Sequence, residues 1–189
     1  MTNNTINLES DIEMDKADLK RILLDIDEEA FLTIGATKPT PKVVIVGGAA
    51  FVLRDLTYRK VTHDIDVFSA ELSVYEIISH YPQVNGAVSA YLDQIPYNFE
   101  DRLVKLDLGT QAIDFVTPST EDLAVMKLYA YRPSDIQDLE SAATEKLIDW
   151  DMLEHLVYDE NEAKASVLSE RSYKEMVHAF ELFKEKCKK

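Results

Sequence analysis

The chain has 189 residues, 46% of them hydrophobic, with 5 Gly, 6 Pro and a formal net charge of −15. That length fits one domain or a compact core with a helical extension, and the acidic balance opposes nonspecific nucleic-acid binding without forbidding a local basic groove. A lone cysteine, Cys187, excludes an intramolecular disulfide and a cysteine-rich zinc site, and no uncharged apolar run approaches the roughly 20 residues that span a bilayer. A soluble cytoplasmic protein with no membrane partner is expected.

Residues 1–15 are polar and acidic, which is unlike a signal peptide, and read as a frayed lead-in. From 16 to 32 the apolar positions Leu19, Ile22, Leu23, Ile26, Ala30 and Phe31 recur at helical spacing. Residues 35–41 hold Gly35, Pro39 and Pro41 and read as a loop. It delivers the chain into a β-branched run, Val43-Val44-Ile45-Val46, that meets the pair Gly47-Gly48. A short helix is expected from there to about Leu56, then a polar connection over 57–62.

Asp64-Ile65-Asp66-Val67-Phe68 alternates as a strand, with both acids on one face and the apolar residues on the other. Two like charges at that spacing repel, so a positive group between them is expected, and a divalent cation is the simplest. A helix over 72–80 ends at Tyr81-Pro82, and 88–92 is ambiguous. Residues 102–108 and 111–116 alternate around Gly109-Thr110 and read as a β-hairpin, with Asp114 on the second strand.

The remainder reads as helical. One helix starts at Ser119 or Thr120 and runs to about Tyr131, and Ser134 is expected to cap the next. Two more cover 150–157 and 169–186, the last amphipathic through Tyr173, Met176, Val177, Phe180 and Phe183. The expected fold is α/β (α+β), a small mixed sheet flanked by helices. Residues 1–117 form the core with its N-terminal helix, and 118–189 form a helical region packed on it.

Three strand acids, Asp64, Asp66 and Asp114, can together hold one or two Mg²⁺ ions, which take hard oxygen ligands and leave positions open for phosphates. The glycine pair lets backbone approach a phosphate closely. Each residue also has a structural reading. Asp64 and Asp66 could be solvated, and Asp114 a hydrogen-bonded structural acid. Lys127 could be a surface lysine on its helix. Arg132, Asp135 and Asp138 could be ion pairs fastening two helices. His63 faces away from the acids on the strand and suits packing better than base chemistry. Arg54, Arg59 and Lys60 form a modest basic cluster that could steer a triphosphate or be ordinary surface charge.

Gly47-Gly48, the Asp64-x-Asp66 strand and the later Asp114 together resemble the nucleotidyltransferase superfold of the DNA polymerase β type. The likeness is closer to small bacterial nucleotidyltransferases of the AbiEii and MNT kind, including the DUF6036 group. The helix holding Glu121, Asp122 and Lys127, followed by Arg132-Pro133-Ser134-Asp135, is similar to theirs, and the likeness spans about residues 42–142. It implies Asp64, Asp66 and Asp114 as metal-binding catalytic carboxylates, Asp114 also as a base for the acceptor. It implies Gly47 and Gly48 around the triphosphate, and Lys127 and Arg132 on phosphate or acceptor. The implied activity is Mg²⁺-dependent transfer of a nucleoside monophosphate from an NTP to a hydroxyl of an RNA, protein or small molecule. A toxin–antitoxin or phage-defence setting with a cognate partner is also implied. Gly48 stands where the commoner motif has serine, and the gap from Gly48 to Asp64 is long. The alternative is a catalytically silent module of the same fold that binds nucleotide or protein, its amphipathic tail at 169–186 serving as the partner surface.

Overall fold

The computed structural model describes residues 13–86 and 92–188. The expected lead-in before residue 13 and most of the ambiguous 88–92 segment lie outside the described residues. β1 (Met14–Asp15) runs into α1 (Lys16–Ile34). Asp15 starts the helix, its carboxylate accepting from the N–H groups of Ala17 at 2.8 Å and Asp18 at 2.9 Å. Leu19, Ile22, Leu23, Ile26 and Ala30 are buried along one face, as their spacing requires.

β2 (Lys42–Val46) is buried at its last four positions and passes directly into α2 (Gly47–Leu53). β3 (Val61–Thr62) pairs antiparallel with β1, so residues read as lead-in and connection instead form a small second sheet, and Met14 is buried. β4 (Ile65–Ala70) lies antiparallel to β2, and α3 (Leu72–Ile78) leads to β5 (Val84–Asn85), parallel to β4. β6 (Val104–Lys105) pairs antiparallel with β7 (Asp114–Thr117), which runs parallel to β2. The main sheet has the order β5-β4-β2-β7-β6, the mixed sheet that the α/β expectation describes.

The hairpin is shorter than its alternation implies. The paired residues are Val104↔Thr117 and Lys105↔Val116, with one further backbone bond from the Leu106 N–H to the Phe115 carbonyl at 2.9 Å, so the turn is longer than Gly109-Thr110. Asp27 of α1 explains this. Its buried carboxylate accepts from the backbone N–H groups of Gln111, Ala112 and Ile113 at 2.8, 2.9 and 2.8 Å, which removes those donors from the ladder.

α4 (Thr120–Ala130) is capped by the Ser119 hydroxyl, which accepts from the Asp122 N–H at 3.0 Å. It ends at Tyr131, a left-handed residue with φ 44°. α5 (Pro133–Thr144) is capped by Arg132, two residues before the expected cap Ser134, which lies inside the helix. Pro133 suits the first turn, and Asp135 accepts the Arg132 N–H at 3.2 Å. α6 (Trp150–Tyr158), the short α7 (Ala163–Ser166) and α8 (Glu170–Cys187) complete the chain, α7 being unforeseen. α8 buries Met176, Ala179, Phe180 and Phe183 within the chain, and the Trp150 and Phe183 rings lie 5.2 Å apart. The apolar face read as a partner surface is thus consumed internally. Arg102, two residues before β6, bridges α4 and the segment before α7, with Nη2 2.8 Å from Asp122 and 2.9 Å from Glu162.

Candidate functional site

The antiparallel register places Asp66 opposite Val46, the last residue of β2, and so beside Gly47. Gly47 has φ +64°, and a Cβ built on it would stand 2.2 Å from Asp66 Oδ2. No other residue fits there without moving the acid. Asp64 and Asp66, two apart in sequence, line one cavity of about 370 Å³. Asn85, Asp66's partner on β5, donates its amide N–H to Asp66 Oδ1 at 2.9 Å.

The Asp66 carboxyl is pushed up to about 6, first by burial and then by the charge of Asp64. Asn85, Lys127 and Arg132 act in the opposite direction. A further positive charge between these acids would screen the repulsion from Asp64 and favour ionisation against burial.

Gly48 is crowded by side chains instead. A Cβ there would lie 2.6 Å from Arg59 Nη2 and 2.8 Å from Thr62 Oγ1. The guanidinium occupies the space that a serine side chain would take, so a serine here would have to displace Arg59. Arg59 is held by Asp138 Oδ2 at 2.9 Å, and the Thr57 hydroxyl donates to Asp138 Oδ1 at 2.7 Å. The basic cluster read around it separates. Arg54 donates to the Pro118 carbonyl at 3.0 Å and Thr120 Oγ1 at 3.1 Å, while Lys60 is exposed.

Lys127 is buried, which excludes the surface-lysine reading. Its Nζ donates to Asp135 Oδ1 at 2.7 Å and Asp138 Oδ2 at 2.8 Å, and sits 5.1 Å from the Phe51 ring centroid. Arg132 is mostly exposed, and its Nε donates to Asp135 Oδ2 at 2.8 Å. Burial opposes ionisation of Asp135, but hydrogen bonds from Arg132 and Lys127 outweigh it and hold the carboxyl below its ordinary value. The helix-fastening reading of Asp135 and Asp138 is therefore realised. The same ion pairs also carry Lys127, Arg132 and Asp135 into the wall of the cavity that Asp64 and Asp66 line.

Asp114 is not brought to this cavity. It opens β7 opposite Lys42, whereas Asp66 lies opposite Val46, about 13 Å further along β2. Its carboxylate is paired with Lys105. The expectation of Asp114 as third carboxylate is corrected here. A parallel strand presents its beginning at the beginning of β2, while the cavity forms at the end of β2. The third acid on the cavity wall is Asp135, which the helix-break pattern left open between an ion pair fastening two helices and a substrate contact. His63 is exposed and does not line the cavity. Leu123, Met126 and Tyr129 of α4, with Gln94, line its uncharged part and were not singled out from the sequence as site residues.

Among the described residues, no group of three or more His, Cys, Asp or Glu is set to hold a metal ion. The pair Asp64 and Asp66 nonetheless suits Mg²⁺, which is commonly held by one or two carboxylates and completed by substrate phosphates.

A family model described as "Nucleotidyltransferase of unknown function (DUF6036)" matches residues 21–188. No curated protein and no solved structure matches the chain.

Proposed function

The chain belongs to that DUF6036 nucleotidyltransferase family, and from this membership we propose that it transfers a nucleoside monophosphate from an NTP to an acceptor hydroxyl. The observation that carries the reading is the cavity wall, where Asp64, Asp66 and Gly47 stand with Lys127 and Arg132. Asp64 and Asp66 would hold Mg²⁺, which when bound supplies positive charge to the phosphate oxygens.

In the reaction the acceptor oxygen bonds to the α-phosphorus while the bond from that phosphorus to the α,β-bridging oxygen breaks. Pyrophosphate leaves with that oxygen, and the hydroxyl proton passes to a carboxylate of the cavity wall. Lys127, fixed by Asp135 and Asp138, supplies a charge that needs no reorganisation as negative charge shifts onto the leaving group. Arg132 does the same at an exposed position and is steadied by Asp135. Gly47 and Gly48 keep the β2–α2 backbone pressed on Asp66 and Arg59, so the acid and the guanidinium are positioned by contact with the main chain.

The acceptor is a protein or small-molecule hydroxyl on this reading, since a net charge of −15 repels a bulky polyanionic RNA. Membership of a toxin–antitoxin or phage-defence pair rests on family likeness. Incubation with labelled NTPs, Mg²⁺ and cell extract tests the reading. Label should enter one acceptor class, and Asp64→Ala or Asp66→Ala should abolish it. Full labelling by either variant, or none by the native chain with any NTP or extract, overturns it.

A further inference from the structure

Phosphoryl transfer by a pair of metal ions sets the ions about 3.5–4 Å apart and needs enough carboxylate oxygen to hold both against their mutual repulsion. The cavity wall offers three acids, Asp64, Asp66 and Asp135. Asp135 is already filled. Its Oδ1 accepts from Lys127 Nζ at 2.7 Å and Arg132 Nη2 at 3.4 Å, and its Oδ2 accepts from Arg132 Nε at 2.8 Å and the Arg132 N–H at 3.2 Å. These donors match the roughly four acceptor positions of a carboxylate and leave none for a metal. Asp66 is restricted as well, since Oδ1 accepts from the Asn85 amide at 2.9 Å and Oδ2 lies against Gly47. An acid gripped at both oxygens is poorly placed to bridge two ions. Asp114 is paired with Lys105 outside the cavity.

Charge points the same way. One divalent cation balances the ionised Asp64 and Asp66, whereas a second would leave an excess of positive charge beside Lys127. Lys127 is buried and held by Asp135 and Asp138, so it has no path out of the way. It belongs to a network in which three cations, Lys127, Arg59 and Arg132, face two carboxylates, Asp135 and Asp138. That network keeps a net positive charge built into the wall, where it repels a further cation and attracts phosphate.

We propose that the cavity binds a single divalent cation, held by Asp64 and Asp66, and that the Lys127–Arg132 network takes the place a second ion has in two-metal phosphoryl transfer. The inference rests on the nucleotidyltransferase reading above and fixes the ion count, which that reading leaves open. The cation can then arrive with the nucleotide, and the remaining positive charge is the protein's own.

Equilibrium dialysis with Mn²⁺ and each of the four α,β-methylene NTPs, which cannot be cleaved at that bridge, counts bound ions per bound nucleotide. The native chain should hold one, and electron paramagnetic resonance of the complex should show no Mn–Mn coupling. Asp114→Asn should keep that count and leave analogue affinity within about twofold, as expected for an exposed ion pair outside the site. Lys127→Met, Asp138→Asn, with its fold checked by circular dichroism, should keep one ion and bind the analogue at least about tenfold more weakly, the loss expected for a charged phosphate contact. Arg132→Gln, an exposed change, should lose about three- to tenfold by itself.

Two ions per nucleotide, or Mn–Mn coupling, overturns the inference and leaves nucleotidyl transfer standing. A lower count in a folded Asp114→Asn variant does the same, as does native affinity in Arg132→Gln and in the folded double variant. A native chain that binds none of the analogues with Mn²⁺ overturns the nucleotide reading and the inference with it.

Discussion

Gly47 and Asp66 are in direct opposition, since a Cβ on the glycine would fall 2.2 Å from the Asp66 carboxylate oxygen. The contact joins the end of β2 to the acid strand, and the positive φ of Gly47 makes it possible. Gly47→Ala must either rotate Asp66 away or shift the turn. We expect it to lower stability by about 1–3 kcal/mol and to weaken Mg²⁺-dependent NTP binding at least tenfold. Urea denaturation and calorimetry on the same variant check both, and native-like NTP binding would refute the positional role of the glycine.

Asp66 gives a pH dependence of defined sign. Its carboxyl is raised from 3.8 to about 6. Between those values the folded chain keeps a proton that the unfolded chain has released. This group's contribution to stability therefore falls as pH rises through that window and stays low above it. Asp66→Asn removes the titration while keeping the shape. The variant should exceed the native chain by roughly 2–3 kcal/mol near pH 8, and the difference should vanish below about pH 4. Urea midpoints across pH 4 to 8 measure it, and a constant difference would contradict the assignment.

Lys127 is the cation shared by Asp135 and Asp138. Lys127→Met leaves two buried carboxylates short of a partner and should destabilise the fold by about 3–5 kcal/mol. The double variant Lys127→Met, Asp138→Asn should recover part of that loss, because it removes one of the stranded charges. Denaturant unfolding of these two variants and of Asp138→Asn alone reads the coupling. Strict additivity would show that the pair does not act as a unit.

Asp114 and Asp64 should behave oppositely. Asp114 pairs with the exposed Lys105, so Asp114→Ala should change stability by less than about 1 kcal/mol and leave nucleotide transfer within about threefold. Asp64→Ala should remove transfer. Loss of labelling in a folded Asp114→Ala variant would return that residue to the site.

Much of the local structure was legible in one dimension. The spacing of Leu19, Ile22, Leu23 and Ile26 identified α1, and alternation identified the strand that holds Asp66, although Asp64 stands just before its first residue, Ile65. Ser119 as a helix start followed from its short hydroxyl side chain at the end of a strand. Elsewhere a distant group overruled the local pattern. Alternation over 111–113 signalled strand, but Asp27, more than eighty residues earlier, takes those N–H groups. The β1–β3 pairing was likewise invisible, because two-residue strands carry no period to detect.

By itself, the sequence determined the Gly47-Gly48 turn, the paired acids and the helical tail, since these depend on backbone freedom and on which side of its own element a residue faces. Tertiary structure alone decided which of the remaining charged groups join them. It carried Asp114 to the far end of β2 and packed α4 and α5 so that Lys127, Arg132 and Asp135 reached the cavity. It also set Tyr129 and Gln94 in the same wall. Periodicity reports a side chain's face within one strand or helix. Strand direction, register and helix packing determine which ends and faces meet, and those are properties of the whole chain.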